Sequence, residues 1–302
     1  MRLPPDPSSV RVAGPWTHRD VSANGIRLHV AELGDGPLVL LLHGFPEFWW
    51  TWRHQLVSLA EAGYRAVAVD LRGYGDSDKP PRGYDGFTLA GDVAGLVKAL
   101  GARRAHLVGH AWGGLLAWTV GAMHPRLVDS VTAIAAPHPL TLRRAIRRNP
   151  RRHAHVFRFQ LPFHPERWLL AESGAAVGRL ITSWAGPKWT VSSEFDEVLR
   201  RNRSAMTIPG VAHCSAEYYR WAVRSQLRSD GRRFAEAVDK RLGVPVLGLH
   251  GTLDPVMPET DSSAWAVESV HHEVPEVGHF PHEESPHTVG RLLSDFLGQF
   301  GS

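Results

Sequence analysis

Short apolar runs alternate with amphipathic stretches along most of the chain. Continuous apolar runs that end in glycine or in a turn are typical of strands buried on both faces of a sheet. They predict strands at residues 37–44, 64–73, 105–110, 128–135, 245–251 and 272–279. Helical periodicity predicts helices at 48–62, 88–101, 113–125, 261–268 and 286–300. Strands that alternate with helices predict a mostly parallel central sheet with helices on both faces, which is an α/β fold.

Local signals define some of these elements more closely. The turn sequence Asn24-Gly25 predicts an antiparallel hairpin between Thr17–Val21 and Ile26–Leu33. Thr88 is predicted to cap the helix that follows it, and Gly101 stands just past the end of that helix.

The alternating pattern stops near residue 139 and resumes near residue 241. The segment between, 140–240, is rich in arginine, has amphipathic helical stretches and lacks a buried-strand signature. It is predicted to be a helical lid inserted into a core made of residues 10–139 and 241–302. Open α/β sheets bind ligands at the carboxyl ends of their strands, so the lid is expected to cover that edge.

The composition favours a globular protein with no membrane or nucleic-acid partner. Of the 302 residues, 43% are hydrophobic and 21% charged, and the longest apolar run (38–42) is far shorter than the roughly 20 residues that span a bilayer. The N-terminal residues have no apolar signal-peptide region, and the single cysteine, Cys214, favours a cytoplasmic location. The densest basic cluster is predicted to be a solvated helix face: Arg143, Arg144, Arg147, Arg148, Arg151 and Arg152.

The segment Val108–Gly114 is the most informative about chemistry. A strand that turns directly into a helix needs a tight corner flanked by small residues, and the pattern G-x-nucleophile-x-G forms such a corner. Gly109 and Gly113 occupy the small positions. The nucleophile position is Ala111, whose side chain has no atom that can attack a substrate.

Two further residues follow in the chain order that such a corner requires. Asp254 comes just after a late strand and His279 after the last one. The order nucleophile, acid, histidine is that of α/β hydrolases. We expect His279 to be a general base held in the correct tautomer by Asp254. The backbone N–H groups of Phe45 and Trp112 are the expected oxyanion-hole donors.

These motifs resemble the epoxide-hydrolase branch of the α/β-hydrolase fold, which is related to haloalkane dehalogenases. The matching stretches are HGFPEFWW (43–50), DLRGYGDSDKP (70–80), VGHAWGG (108–114) and VGHF (277–280). The resemblance implies an elbow aspartate that attacks an epoxide carbon, two lid tyrosines that donate to the epoxide oxygen, and a histidine that activates water against the resulting ester. The lid donors match Tyr219 and, in place of a tyrosine, His155.

Ala111 stands where that family has its aspartate, and three explanations are open. Ala111 could be an engineered replacement, a natural residue in an enzyme whose Asp254 and His279 activate water directly, or the mark of a protein that only binds its ligand. Other chemistries are also open, namely a haloalkane dehalogenase or a serine-type esterase. Phe45 argues against a haloalkane dehalogenase, because such an enzyme usually has asparagine there. Trp112 is less typical of a serine-type esterase.

The sequence predicts neither a cofactor nor a metal site. The histidines at 271, 272, 282 and 287 match no zinc-ligand spacing, and those at 282 and 287 are predicted to lie in a surface loop. The expected partner is a small apolar organic substrate, and the chain is expected to be a monomer or a homodimer.

Overall fold

The computed structural model describes residues 4–257 and 262–300, and these residues form an eight-stranded sheet. The strands are β1 (Thr17–Ala23), β2 (Ile26–Leu33), β3 (Leu38–Leu42), β4 (Arg65–Val69), β5 (Ala105–His110), β6 (Val128–Ile134), β7 (Val246–Gly251) and β8 (Ser269–Val274). Their order is β1-β2-β4-β3-β5-β6-β7-β8. β2 pairs antiparallel with β1 and β4, and every other pairing is parallel. The predicted mostly parallel sheet and its opening hairpin are confirmed.

The central strands carry apolar residues on both faces because both faces are covered. All residues of β3 and β5 are buried. The parallel register pairs Leu42 at the end of β3 with Gly109 near the end of β5. The carboxyl ends of these strands therefore lie side by side, and the loops that follow them start from one edge of the sheet.

The helices of the core pack on this sheet and on one another. They are α1 (Arg53–Glu61), α2 (Gly86–Ala99), α3 (Trp112–Met123), α11 (Pro281–Glu284) and α12 (Pro286–Gly298). α2 packs against α3, and α1 packs against α12. The cap of α2 is Asp85 rather than the predicted Thr88: the Asp85 carboxylate accepts from the backbone N–H groups of Phe87 and Thr88. An aspartate three residues earlier thus satisfies the free amides of the first turn.

The helices between β6 and β7 lie in the segment that was predicted to be a lid, and the name lid is kept for them. They are α4 (Pro139–Arg148), α5 (Ala154–Arg158), α6 (His164–Leu170), α7 (Ala175–Trp184), α8 (Phe195–Met206), α9 (Val211–Arg224) and α10 (Ser229–Val238). None of the helices in the described part of the chain combines the length and the apolar character needed to cross a bilayer.

The helix predicted at 261–268 is wrong for its described residues, 262–268, while Asp261 lies outside them. This stretch forms turns and a single β-bridge between Leu242 and Ala266. The Trp265 indole donates to Thr141 Oγ1 at 2.8 Å and stacks on the His138 ring at 3.9 Å between centroids. These contacts with the start of the lid hold the segment in a non-helical conformation.

The corner between β5 and α3 depends on glycine. A Cβ at Gly113 would lie 2.0 Å from the carbonyl oxygen of Leu42, and a Cβ at Gly109 would lie 2.2 Å from that of Gly113. Both clashes are with backbone, which cannot rotate away.

Gly113→Ala is therefore expected to lower the free energy of unfolding by about 3 kcal/mol, because α3 would have to move off β3. Guanidinium denaturation measures this. Gly298→Ala is the matched control, since a Cβ at Gly298 meets no atom within 4 Å. Equal stability of the two variants would contradict the close approach of α3 to β3.

Candidate active site

Ala111 lies at the corner in a backbone conformation that is rare for any residue except glycine. Its φ and ψ are 46° and −110°, between the last residue of β5 and the first residue of α3. The Ala111 N–H donates to the Ile134 carbonyl of β6 at 3.0 Å. Such a conformation costs on the order of 1–3 kcal/mol and persists only when its surroundings fix it. The strained turn predicted between β5 and α3 is thus present, with alanine at its tip.

Asp254 and His279 form a buried pair. His279 Nδ1 lies 2.8 Å from Asp254 Oδ2, and the two residues are 2% and 3% exposed. Asp254 Oδ1 accepts from the backbone N–H groups of Val256 and Met257 at 2.7 and 2.9 Å. Burial raises the pKa of Asp254, but the His279 ring and these N–H groups outweigh it and lower the pKa. An ionised Asp254 makes Nδ1 the protonated nitrogen, which leaves Nε2 as an acceptor.

The predicted site residues converge on one cavity between the strand ends and the lid. Its empty volume is about 680 Å³, including space open to solvent. Phe45, Ala111, Trp112, His155, Tyr219 and His279 all line it. Asp254 is not among the lining residues, but it contacts His279 Nδ1. The other lining residues are mostly apolar, as in many small-molecule sites.

The two predicted lid donors lie on different lid helices, and both are uncharged. Burial raises the pKa of Tyr219 on α9, and a hydrogen bond from the Trp112 side chain, which acts to lower this pKa, is the weaker effect. Burial, with repulsion from His153 and His279, lowers the pKa of His155 on α5 to about 3. Their ring centroids are 5.9 Å apart. The neighbouring Tyr218 points elsewhere, because its hydroxyl donates to the Arg72 carbonyl at 2.8 Å.

Phe45 and Trp112 flank Ala111 from two elements. Phe45 is in the loop after β3, and Trp112 is the first residue of α3, where helix N–H groups have no partner within the helix. The loop is held in place by the Gly44 N–H, which donates to Glu47 Oε2 at 3.0 Å.

The lid is fastened directly to the His279 segment. The His279 N–H donates to the carbonyl of Trp184, the last residue of α7, at 2.8 Å. Glu284 Oε2 accepts from Gly186 N–H in the lid and from Gly278 N–H in the core, at 2.9 and 2.8 Å. The orientation of the predicted base therefore depends on a lid residue.

A buried cluster around Glu47 was not identified from the sequence. It consists of Glu47, His110 and His282, which are 0–3% exposed. The prediction that His282 lies in a surface loop is wrong, because α11 packs against the one-turn helix Trp49–Trp52 and the His282 ring lies 4.5 Å from that of Trp52. The only signal in the sequence was the glutamate that follows HGFP, which carried no role by itself.

Glu47 links three loops through this cluster. Besides Gly44 N–H, Glu47 Oε2 accepts from His110 Nδ1 at 2.7 Å, and His110 Nε2 donates to the His279 carbonyl at 2.8 Å. An imidazole that donates from both nitrogens is protonated. Burial acts against charge on both groups, yet the His110 and His282 rings hold the pKa of Glu47 well below its usual value, and Glu47 raises that of His110. The result is a buried ion pair.

The same cluster has a donor set that zinc accepts, two imidazoles and a carboxylate within 4.8 Å of one another. Zinc bonds of 2.0–2.1 Å in a tetrahedron place neighbouring ligand atoms roughly 3.3 Å apart. The Glu47–His110 contact of 2.7 Å is a direct hydrogen bond instead. The spacing fits a hydrogen-bonded network better than a metal site.

The family model described as "alpha/beta hydrolase fold" matches residues 37–286. The chain belongs to the alpha/beta hydrolase fold family.

Within this family the chain is similar to epoxide hydrolases. It is 32% identical to epoxide hydrolase A of Mycobacterium tuberculosis, over 94% of this chain and 98% of that protein. It is 46% identical to epoxide hydrolase 3 of Siraitia grosvenorii over 120 residues, and that match spans only 38% of the plant protein. Among solved structures, epoxide hydrolase A from Mycobacterium thermoresistibile superimposes with a TM-score of 0.80 at 28% identity, over 93% of this chain and 98% of that one. The fold prediction is thereby confirmed, and so is the resemblance to epoxide hydrolases.

Glu47→Ala is expected to lower the free energy of unfolding by about 3–5 kcal/mol, because it leaves the buried His110 imidazolium unpaired. Urea denaturation at neutral pH measures the loss. Glu194→Ala is the control: Glu194 pairs with Arg53 but its side chain is 53% exposed, so a change of at most about 1 kcal/mol is expected. A small effect for both would show that the pair does not stabilise the fold.

Proposed function

We propose that the cavity binds a small apolar epoxide and that the site is of the kind that opens epoxides to vicinal diols, with its covalent step blocked at Ala111. The observation that carries the proposal is the buried Asp254–His279 pair, whose ring lines the same apolar cavity as Ala111. A ligand-binding protein without hydrolytic ancestry has no need of an oriented base at a strained corner.

An aspartate at position 111 would supply the nucleophile that the first step, opening of the epoxide ring, requires. One carboxylate oxygen forms a bond to an epoxide carbon while the carbon–oxygen bond of the ring breaks. The oxygen released from the ring takes a proton from the Tyr219 hydroxyl or accepts a hydrogen bond from His155. The product of this step is an alkyl ester of residue 111. The apolar lining favours it by excluding competing water.

Hydrolysis of the ester uses the remaining groups. His279 Nε2 takes a proton from water, and the hydroxide adds to the ester carbonyl. The N–H groups of Phe45 and Trp112 stabilise the negative oxygen that forms. The ester bond to the alkyl oxygen then breaks, and that oxygen takes the proton from His279. The diol leaves, the carboxylic acid of residue 111 loses its proton, and Tyr219 regains one, which restores the starting state. Asp254 stabilises the imidazolium while it exists.

With Ala111 only a slower route is available. His279 can activate a water that attacks the epoxide carbon directly, but no covalent intermediate forms. Removing the nucleophile from a triad enzyme costs about 10⁶-fold in rate where this has been measured. The chain is therefore proposed to be nearly inert towards epoxides.

Ala111→Asp is expected to produce diol from styrene oxide at least a thousandfold faster than the unchanged chain, because it supplies the missing nucleophile. Chromatography of the diol measures this. Ala111→Asn is the matched control, equal in size but not nucleophilic, and should stay inert. The double variant Ala111→Asp, His279→Gln should form the ester without releasing diol, which mass spectrometry of the intact protein detects as one added substrate mass.

Other outcomes lead to other functions. Ester cleavage that appears only in Ala111→Ser favours a serine-type esterase, and halide release by Ala111→Asp without diol from epoxides favours a dehalogenase. If no variant turns over any of these substrates while the chain still binds a small apolar molecule, the proposal is wrong and the protein is a binding protein.

In the Ala111→Asp background, Tyr219→Phe is expected to slow epoxide opening about a hundredfold, since it removes a proton donor. Single-turnover measurement of ester formation isolates this step. Tyr218→Phe is the comparison, because Tyr218 bonds the Arg72 carbonyl outside the cavity. The Tyr219→Phe variant keeps the ring that stacks on Phe159 and loses only the hydroxyl. An unchanged rate of ester formation in Tyr219→Phe, or equal slowing by both variants, would contradict a role of the Tyr219 hydroxyl as proton donor.

A further inference from the structure

Charge is distributed unevenly between the lid and the core. Residues 140–240 contain 19 lysines and arginines against nine aspartates and glutamates, whereas the rest of the chain contains 15 against 21. The lid is therefore strongly basic, and such an asymmetry favours a negatively charged partner. In the basic cluster predicted to be solvated, Arg143 is half-buried and the others are exposed: Arg144, Arg147, Arg148, Arg151 and Arg152.

Large apolar side chains are exposed in one part of this basic lid. Phe163 is 74% exposed, and Phe157 and Leu161 are 45% and 49% exposed. Phe157 lies on α5, and the other two lie in the connection from α5 to α6. Single apolar residues on a surface are ordinary, but a group of large ones indicates an interaction site.

The backbone conformation of Phe163 is strained. Its φ and ψ are 58° and −17°, in the left-handed region that a bulky side chain seldom adopts. A glycine or an asparagine would fit this position with less strain. A strained residue that exposes a phenylalanine ring indicates that the ring has a role outside the fold.

Three arginines lie close to these apolar side chains. Arg167 of α6 and Arg224 of α9 line one shallow groove together with Phe163. Arg158 follows Phe157 in the chain, and all three arginines are exposed. Within residues 4–257 and 262–300, none of the three forms an ion pair. Their positive charges are therefore available to a partner.

The two carboxylates that line the same groove are already paired. Glu166 and Glu217 both bond Arg220 Nη1, at 2.7 and 2.8 Å. The groove therefore presents the charges of Arg167 and Arg224 beside an exposed phenylalanine.

We propose that this part of the lid docks on the surface of an anionic lipid bilayer. The docking surface consists of Phe157, Arg158, Leu161, Phe163, Arg167 and Arg224. Its apolar side chains enter the boundary between headgroups and acyl chains, and its arginines contact the anionic headgroups. The expectation that the chain has no membrane partner rested on the lack of a long apolar run, which docking of this kind does not need.

A lipid surface accounts for both halves of the docking surface. A nucleic acid would account for the arginines but not for the exposed side chain of Leu161. The helices that carry the docking surface also line the candidate active-site cavity, through His155 of α5 and Tyr219 of α9. That docking supplies this cavity with an apolar substrate dissolved in the bilayer rests on the proposed function. The docking itself does not.

Cosedimentation of the unchanged chain with lipid vesicles tests the proposal. Phosphatidylcholine vesicles that contain about 30% phosphatidylserine are compared with vesicles of phosphatidylcholine alone. We expect the anionic vesicles to bind the chain at least tenfold more tightly. We also expect this binding to weaken as the salt concentration rises, because salt screens the attraction.

Two double variants locate the charge effect. Arg158→Gln, Arg167→Gln is expected to weaken binding to the anionic vesicles about tenfold. The matched control is Arg103→Gln, Arg126→Gln, which removes the same charge. These two exposed arginines precede the parallel strands β5 and β6, so they lie at the edge of the sheet opposite the carboxyl ends. The control should bind as the unchanged chain does.

A second pair of variants tests the apolar contact. Phe163→Ser is expected to weaken binding to the anionic vesicles about tenfold, because it removes the most exposed of the three apolar side chains. Val267→Ser is the control, since Val267 is also exposed but lies before β8 and outside the lid. Thermal unfolding checks that all these variants are folded.

The proposal is wrong if the two kinds of vesicle bind equally, if the arginine control weakens binding as much as Arg158→Gln, Arg167→Gln does, or if folded Phe163→Ser binds as before. A single-stranded oligonucleotide that binds more tightly than the anionic vesicles would also overturn it, in favour of a nucleic-acid partner. These measurements involve no turnover. Failure of Ala111→Asp to make diol would therefore overturn the proposed function and leave the docking intact, and the reverse also holds.

Discussion

The buried ion pair between Glu47 and His110 is the interaction on which the geometry of the site depends. Through it the loop after β3, the corner after β5 and the segment that carries His279 meet at one carboxylate. An unpaired charge at this depth would be very costly, so the three loops cannot shift independently. The sheet brings their starting points to one edge, and this pair fixes how they continue from there.

The corner itself shows how little of this arrangement depends on the side chain at position 111. The positive φ of Ala111, the close approach of Gly113 to β3 and the hydrogen bond to β6 are all properties of the backbone. The expected oxyanion donors are backbone groups as well. The backbone of the corner is therefore complete whichever side chain stands at position 111.

Much of the core could be predicted from the sequence because its strands are apolar on both faces and its turns contain glycine. The positions of Ala111, Asp254 and His279 followed from the chain order of an elbow, an acid and a histidine. The failures have a common cause. The turn at 262–268 and the burial of His282 are decided by contacts between distant parts of the chain, which a local pattern does not contain. Asp85 is different, because an aspartate is itself an N-cap signal and stands three residues before Thr88 in the sequence.

The hydrogen bond from the His279 N–H to the carbonyl of Trp184 joins the lid to the core at the candidate active site. An insertion in a surface loop usually varies in length and sequence with little effect on the rest of the domain. Here the last residue of α7 supplies an acceptor that orients the predicted base, and Glu284 clamps the next turn to the same segment. Changes in substrate range by exchange of whole lids between relatives are thereby restricted, because the α7 terminus has to be inherited together with the residues around position 279.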